Sequence, residues 1–379
     1  MNLALRDVRH NAFRFVLTAL GLGGLLGIVV AMAGIYAGAL DDALRLPRAS
    51  SPDLWVVQPL TKGPFAEPSR IPADTRELVR RIPGVAEAGA VTFQTVQATA
   101  NGKPLRLFIQ GYEPSRLGGP SGLVLGHGIT ASHYQIVADI SSGLRLGDQV
   151  PLGPNRNPYT VVGLTKGMVT ASGDPVAWLT LLDAQDIQFS VAPPLQRRER
   201  AAGRSPLVTA DINAVLVRLY PGVDKTAVAR QIDRWKHLSA VSEQQEEDYL
   251  TVFVISKMQR QLGMFMAILI VVAAVIIALI VYTLTMDKIR SIATLKLVGA
   301  PDRTIIGLIV QQALTLGILG YAFGVAMVVA IKDYFPRRVQ LEPTYIAALF
   351  VVVVVVCLLA SVLSIRAAVK VDPAKALAG

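Results

Sequence analysis

The stretch Leu262–Ala300, LGMFMAILIVVAAVIIALIVYTLTMDKIRSIATLKLVGA, decides how the rest of the chain is read. From Leu262 to Thr285 it carries no Asp, Glu, Lys, Arg or His. About 20 mostly apolar residues take a helix across roughly 30 Å of bilayer hydrocarbon, so this run predicts a membrane span. At Asp287 the composition changes. Ile289, Ile292, Ala293 and Leu297 fall broadly on one side of a helix, with Arg290 and Thr294 on another and Lys296 blurring the division. Gly299-Ala300-Pro301 then supplies a stop or turn.

Three further runs pass the same length test: Phe15–Leu40, Thr304–Ile331 and Tyr345–Ile365. A chain of 379 residues that is 52% hydrophobic and 17% charged has the composition this requires. Arg6, Arg9 and Arg14 precede the first run as they would in a secretory signal. That run, however, outlasts the ~7–15 residues of a signal core and lacks a clean small-x-small cleavage site, so it reads as an uncleaved anchor. The net charge of +10 lies beside the apolar runs, and no aromatic-basic motif accompanies it. The reading is therefore membrane lipid headgroups as partners and no nucleic acid. The single cysteine, Cys357, lies inside the last run, so no intramolecular disulfide braces the chain.

Basic residues favour the cytoplasmic side, and Arg6, Arg9 and Arg14 place the start of the chain there. Four crossings return the end to the same side. The expected division is a cytoplasmic interfacial segment 1–14, span 15–40, an extracytoplasmic domain with stalk 41–258, span 259–285, a cytoplasmic segment 286–303, span 304–331, a short outer loop 332–344, span 345–365 and a cytoplasmic tail 366–379. Lys288, Arg290, Lys296 and Arg303, then Arg366, Lys370 and Lys375, agree with this topology. The outer loop does not fit so well, because Lys332, Arg337 and Arg338 are only partly offset by Asp333 and Glu342.

The 41–258 segment has the size of an independent domain. Leu54–Gln58, Val91–Thr99, Leu105–Gln110, Tyr159–Gly163 and Ala214–Leu219 read as strands, and Ala73–Ile82 and Asp224–Lys236 as helices. The fold class expected is thus an α-helical membrane protein with four transmembrane helices, one plus three, and a large α+β extracytoplasmic domain. Pro193-Pro194 and the basic residues from Arg197 to Arg204 read as a solvated loop, and Glu243–Arg260 as an amphipathic helix leading into the second span.

Chemistry-bearing patterns are sparse. No glycine-rich stretch ends in Gly-Lys-Ser/Thr, so nucleotide chemistry has to come from another polypeptide. His10, His127, His133 and His237 are scattered, which predicts no metal site. Serine, histidine and acidic residues form no recognisable catalytic motif, and the expectation is a chain without enzymatic activity of its own. The spans hold almost no ionisable residue, which disfavours a proton relay. Gln311 and Gln312 read as packing residues. Gly23 and Gly27, and Gly320 and Gly324, have the small-xxx-small spacing that lets helices approach closely, within one subunit or at a dimer seam.

One span, a large outer domain and three clustered spans resemble the MacB/FtsX family of ABC transporter permeases, especially its DevC-like branch. Arg14-Phe-Val-Leu-Thr-Ala-Leu-Gly21 is similar to the family's entry into the first membrane helix, and Gly143–Gly153 followed by Tyr159–Gly163 to its glycine-aspartate turn between strands. Asp287–Ala300 is similar to its cytoplasmic coupling segment, and Val371-Asp-Pro-Ala-Lys-Ala-Leu377 to its tail. Ser291 departs from the glutamate common among relatives. The resemblance implies that Asp287, Lys288, Arg290, Ser291, Ile292, Leu295, Lys296, Gly299 and Ala300 contact an ABC-type ATPase subunit that binds ATP and Mg, with no cofactor in this chain. It further implies a second copy of the chain, a bacterial inner (cytoplasmic) membrane, and export of a hydrophobic or amphipathic substrate. A periplasmic adaptor and an outer-membrane duct are further partners it allows. The alternative is a signalling subunit that activates an external partner without transport. From the residue pattern alone, 287–300 also fits an interfacial helix resting in headgroups.

Overall fold

A computed structural model describes residues 12–370, apart from 101, 131–132, 154–155, 190–197, 199–200, 204–210, 300 and 336. Arg6, Arg9, His10, the side chain of Arg14, most of the 193–204 loop, Ala300 and the 371–377 tail motif lie outside the described residues. The chain divides into two compact units, Ala39–Lys257 and the remainder.

Helix α1, Ala12–Ser50, runs ten residues beyond the expected end of the first span. The extension is polar enough to have been read as loop, but it is held helically by its own charges and by the extracytoplasmic unit. Arg45 Nη2 lies 2.9 Å from Asp41 Oδ2 one turn away, and Arg45 Nη1 donates to the Gly167 carbonyl at 3.3 Å. Arg48 grips Glu247 with two bonds of 2.6 and 3.1 Å, and Leu46 is buried in the domain core. These contacts tolerate Pro47 inside the helix, a residue that removes one backbone bond.

The extracytoplasmic unit is built on strands β1 (Leu54–Val57), β2 (Ile71–Pro72), β3 (Val85–Ala100), β4 (Lys103–Tyr112), β5 (Leu123–Gly126), β6 (Gln135–Asp139), β7 (Gln149–Leu152), β8 (Asn157–Thr165), β9 (Val176–Thr180), β10 (Asp211–Ile212), β11 (Ala214–Leu219) and β12 (Ser239–Ser242). Ten of them form one mixed sheet in the order β12-β1-β11-β3-β4-β9-β6-β8-β5, with β7 on β8; β2 and β10 make a separate ribbon. Only β4–β9 and β6–β8 are parallel among these pairs. Period-two alternation sends Leu54 and Val56 into one core with Val79 and Ile232, and Trp55 and Val57 into another with Trp178. The first core is closed by helices α2 (Thr75–Arg80) and α4 (Lys225–Asp233). A third core gathers Leu107, Ile109, Tyr159 and Leu179 beneath α3 (Leu181–Phe189). In the stretch likened to the family's glycine-aspartate turn, Gly147 has φ +83 and the Asp148 carboxylate accepts the Arg145 N–H at 2.9 Å, a turn that leads into β7, which then pairs with β8.

Helix α5, Glu243–Tyr249, begins with a reciprocal cap between Ser242 and Gln245. It does not continue as a regular amphipathic helix. Leu250–Ile255 forms a π-helical turn before α6, Ser256–Asp287, resumes the α repeat. The sequence spacing assumes 3.6 residues per turn throughout, whereas the turn is wider here; Phe253 within it meets the Lys62 ammonium, 3.8 Å from the ring centre, and Glu246 in α5 is fully buried.

In the membrane unit α6 is followed by α7 (Ile289–Leu297), α8 (Asp302–Ile331) and α9 (Pro343–Val369). Four helical stretches among the described residues are long and apolar enough to cross a membrane: Leu17–Ser50, Glu243–Asp287, Asp302–Tyr334 and Pro343–Val369. The glycine pairs meet inside one subunit. A Cβ on Gly324 would come within 2.6 Å of the Gly23 carbonyl and 2.8 Å of the Gly27 nitrogen, and a Cβ on Gly23 within 2.7 Å of the Gly320 carbonyl. α1 and α8 therefore touch backbone to backbone, a close approach only glycine permits. α8 and α9 pack through Gly317 against Cys357 and through the Tyr321 hydroxyl, which donates to the Ile346 carbonyl at 2.7 Å. Gln312 is buried within α8.

Candidate functional site

The segment between α6 and α8 is a short helix with two different faces. Lys288, at φ −106 and ψ 12, breaks α6 from α7, and burial lowers the pKa of its ammonium. At the other end the Val298 N–H reaches the Thr294 carbonyl at 3.1 Å and the Gly299 N–H the Lys296 carbonyl at 3.0 Å. Gly299 sits at φ +89, the left-handed stop that glycine provides best. Pro301 is extended, and Asp302 opens α8 with an acid in its first turn, complementing the helix dipole.

The inward face holds Ile292 and Ala293, 7% and 0% exposed. Lys296 also turns in. Its Nζ donates to the Val369 carbonyl at 2.7 Å, at the C-terminal end of α9, and lies 3.6 Å from Asp302. A lysine at the last turn of a helix satisfies an orphan carbonyl and meets the negative end of the dipole. One side chain thus ties α7 to the ends of both neighbouring spans.

The outward face is Arg290, Ser291, Thr294, Leu297 and Val298, all exposed. Their spacing of i, i+1, i+4, i+7 and i+8 places them on one side of the helix. Leu297 and Val298 are 62% and 84% exposed, and the Thr294 hydroxyl is occupied by the Arg290 carbonyl at 2.9 Å.

The geometry differs from the sequence reading of this helix in where two side chains point. Of the residues expected to contact an ATPase, Ile292 is buried and Lys296 is half-buried with its ammonium on the Val369 carbonyl. Leu297, placed on the apolar side with Ile289, Ile292 and Ala293, faces outward, while its neighbour Lys296 is turned toward the end of α9 by its bond to the Val369 carbonyl. Asp287, Arg290, Ser291 and Gly299 are exposed, Lys288 and Leu295 half-buried, and Ala300 lies outside the described residues. Thr294, Leu297 and Val298 were missed as contact candidates. The signal was available: they lie four, seven and eight residues from Arg290.

Two family models match the chain, the MacB-like periplasmic core domain over residues 15–235 and the FtsX-like permease C-terminal domain over 263–373. With the four spans, they define a multi-pass membrane protein with a large extracytoplasmic domain, the permease subunit of an ABC transporter rather than its ATPase. The chain belongs to the MacB/FtsX family of ABC transporter permeases. An uncharacterized ABC transporter permease of Mycobacterium tuberculosis is 25% identical over 99% of each chain. A putative hemin transport system permease protein, HrtB, of Staphylococcus epidermidis is 20% identical over 100% of this chain and 99% of its own. Among solved structures, the periplasmic region of MacB from Actinobacillus actinomycetemcomitans is similar with a TM-score of 0.38 and 10% identity, covering 54% of this chain and 94% of that one.

Proposed function

We propose that this permease works in an ATP-driven exporter, taking its force from a separate ATPase subunit that holds ATP and Mg and docks on the outward face of α7. The observation that carries the reading is the exposed pair Leu297 and Val298 beside Arg290. Leaving such side chains uncovered forgoes roughly 1.5–3 kcal/mol each, and apolar residues rimmed by polar ones suit a protein partner. By the parity of four crossings, α7 lies on the opposite side of the membrane from the large domain. In a bacterial inner membrane that side is the cytoplasm, where the two termini also lie and ATP is available.

A push on α7 would reach α8 through Asp302 and α9 through the Lys296–Val369 bond, and a pair of such subunits would convert ATPase closure into movement of the extracytoplasmic domains. The cargo is a hydrophobic or amphipathic molecule. The hemin transport named for the staphylococcal relatives makes an iron porphyrin one cargo to assay.

The test is affinity purification of the detergent-solubilised chain with its co-expressed neighbours, comparing wild type with the Leu297→Asp/Val298→Asp double variant. Both positions are exposed, so folding should be retained. The wild type is expected to retain a P-loop ATPase, and the variant to lose it by about tenfold or more. An ATPase held equally by both, or by neither, would overturn the reading.

A further inference from the structure

β5 is the last strand of the ten-stranded sheet, and its outer side is bare. Among the described strands only β8 pairs with it, and all four of its residues, Leu123–Gly126, are exposed. Leu123, Val124 and Leu125 are 41%, 53% and 52% exposed. Leu146, also exposed, extends the apolar surface, since a Cβ on Gly126 would come within 2.8 Å of its Cδ2. Edge strands are ordinarily guarded by charge or proline, and β7, which also ends on β8, carries Pro151. β5 carries neither. From Leu117 to Thr130 the chain holds no Asp, Glu, Lys or Arg, and Pro120 lies outside the strand. The register on β8 slips at Val124, a bulge that bends the strand but leaves its apolar side chains in solvent.

The order of residues in this bare strand says what fits it. Gly122-Leu-Val-Leu-Gly126 reads the same in both directions about Val124. In a contact between two identical surfaces, residue i meets residue j and j meets i. Two such segments lying antiparallel therefore match side chain for side chain: Leu123 against the partner's Leu125, Val124 against the partner's Val124, and Gly122 against the partner's Gly126. A charge near such an axis would meet its own like, and this segment has none. A partner of different sequence would gain nothing from that symmetry.

We propose that β5 is where the extracytoplasmic domains of two copies of this chain meet, strand against strand and antiparallel, with Val124 on the two-fold axis. The proposal rests on the reading above that the permease works as a pair. Five residues a side are far fewer than the ~20–30 of a free-standing interface, so this contact does not hold two copies together by itself. It forms between copies already tethered side by side, where the effective concentration of one for the other is on the order of millimolar. A seam that small can also part when the domains are moved.

Oxidative cross-linking of the full-length chain in native membranes, with one cysteine added at a time, tests the contact. Wild type is the blank, since Cys357 is buried. Val124→Cys should give a disulfide-linked dimer, because a residue on the axis meets its own copy within the ~4.4–6.8 Å between Cα atoms that a disulfide spans. Leu60→Cys, 99% exposed in the same unit but off β5, should cross-link at least about tenfold less, having only chance encounters to draw on. Leu123→Cys and Leu125→Cys should each link poorly alone and readily when the two variants are co-expressed. Equal cross-linking at all four positions would mark random collision and overturn the proposal. Absence of the Val124→Cys disulfide, while an amine-reactive cross-linker still captures a dimer, would overturn it and leave the pair standing. No dimer by either route would remove the pair itself, and this contact with it.

Discussion

At the scale of single residues, two positions carry consequences that can be measured. Glu246 belongs to the extracytoplasmic unit, ahead of the apolar run of α6, and is 0% exposed. Burial drives its carboxyl pKa up to about 8 from an ordinary 4.5, with the Phe65 backbone N–H pulling the other way. Because folding raises this pKa, the folded state binds the proton more tightly than the unfolded chain does. The stability it contributes is full below about pH 4.5 and is lost as pH rises through about 8. The unfolding free energy from denaturant titration followed by tryptophan fluorescence should fall across that window by on the order of a few kcal/mol, and Glu246→Gln should flatten the profile. Parallel profiles for the two proteins would remove Glu246 as the cause. Gly324 is the second position. Its added Cβ would meet backbone atoms of α1, which cannot swing aside as a side chain can, so Gly324→Val should destabilise the membrane unit by about 1–3 kcal/mol. Gly307→Ala is its control, with nothing within 4 Å of the new methyl. Resistance of the folded chain to unfolding in mixed detergent would separate them.

At the scale of elements, α7 separates docking from transmission. Lys296→Met leaves the outward face intact while removing the bond to Val369. The expected result is an ATPase that still co-purifies but whose hydrolysis no longer drives cargo export, with transport reduced roughly tenfold or more, the scale of a lost charged hydrogen bond. Loss of binding and transport together would put Lys296 in the docking surface after all. Much of the architecture was legible in the sequence. The spans declare themselves by apolar length, and β1 and β11 by compact apolar runs: Ala214–Leu219 is a strand with the same bounds in both readings. What was not legible depended on partners distant in the chain. The last turns of α1 are polar and become helical through Gly167 and Glu247. The π turn at Leu250–Ile255 widens the backbone by amounts no side-chain pattern registers. In α7 an apolar residue was taken to face the spans, but Leu297 looks out while the charged Lys296 looks in, because a carbonyl at the end of α9 was there to receive it.

At the scale of the whole molecule, topology is open to direct chemical test, since the sole cysteine, Cys357, is buried in α9. Cysteines introduced one at a time at Leu60, Tyr334 and Val298, which are 99%, 87% and 84% exposed, should react differently with a membrane-impermeant maleimide on intact cells. Leu60→Cys and Tyr334→Cys should label, and Val298→Cys only after permeabilisation. Labelling of Val298→Cys on intact cells would reverse the assignment of α7 to the cytoplasm. The pairing of Gly23 and Gly27 with Gly320 and Gly324 also bears on how the protein is made. About 300 residues separate the two halves of that contact, and at ~5–20 residues per second the ribosome takes roughly 15–60 s to cover the distance. During that interval the entire extracytoplasmic domain is threaded across the bilayer while α1 waits with its backbone notch open to lipid, so biogenesis must shelter an unfinished helix seam until its partner is translated.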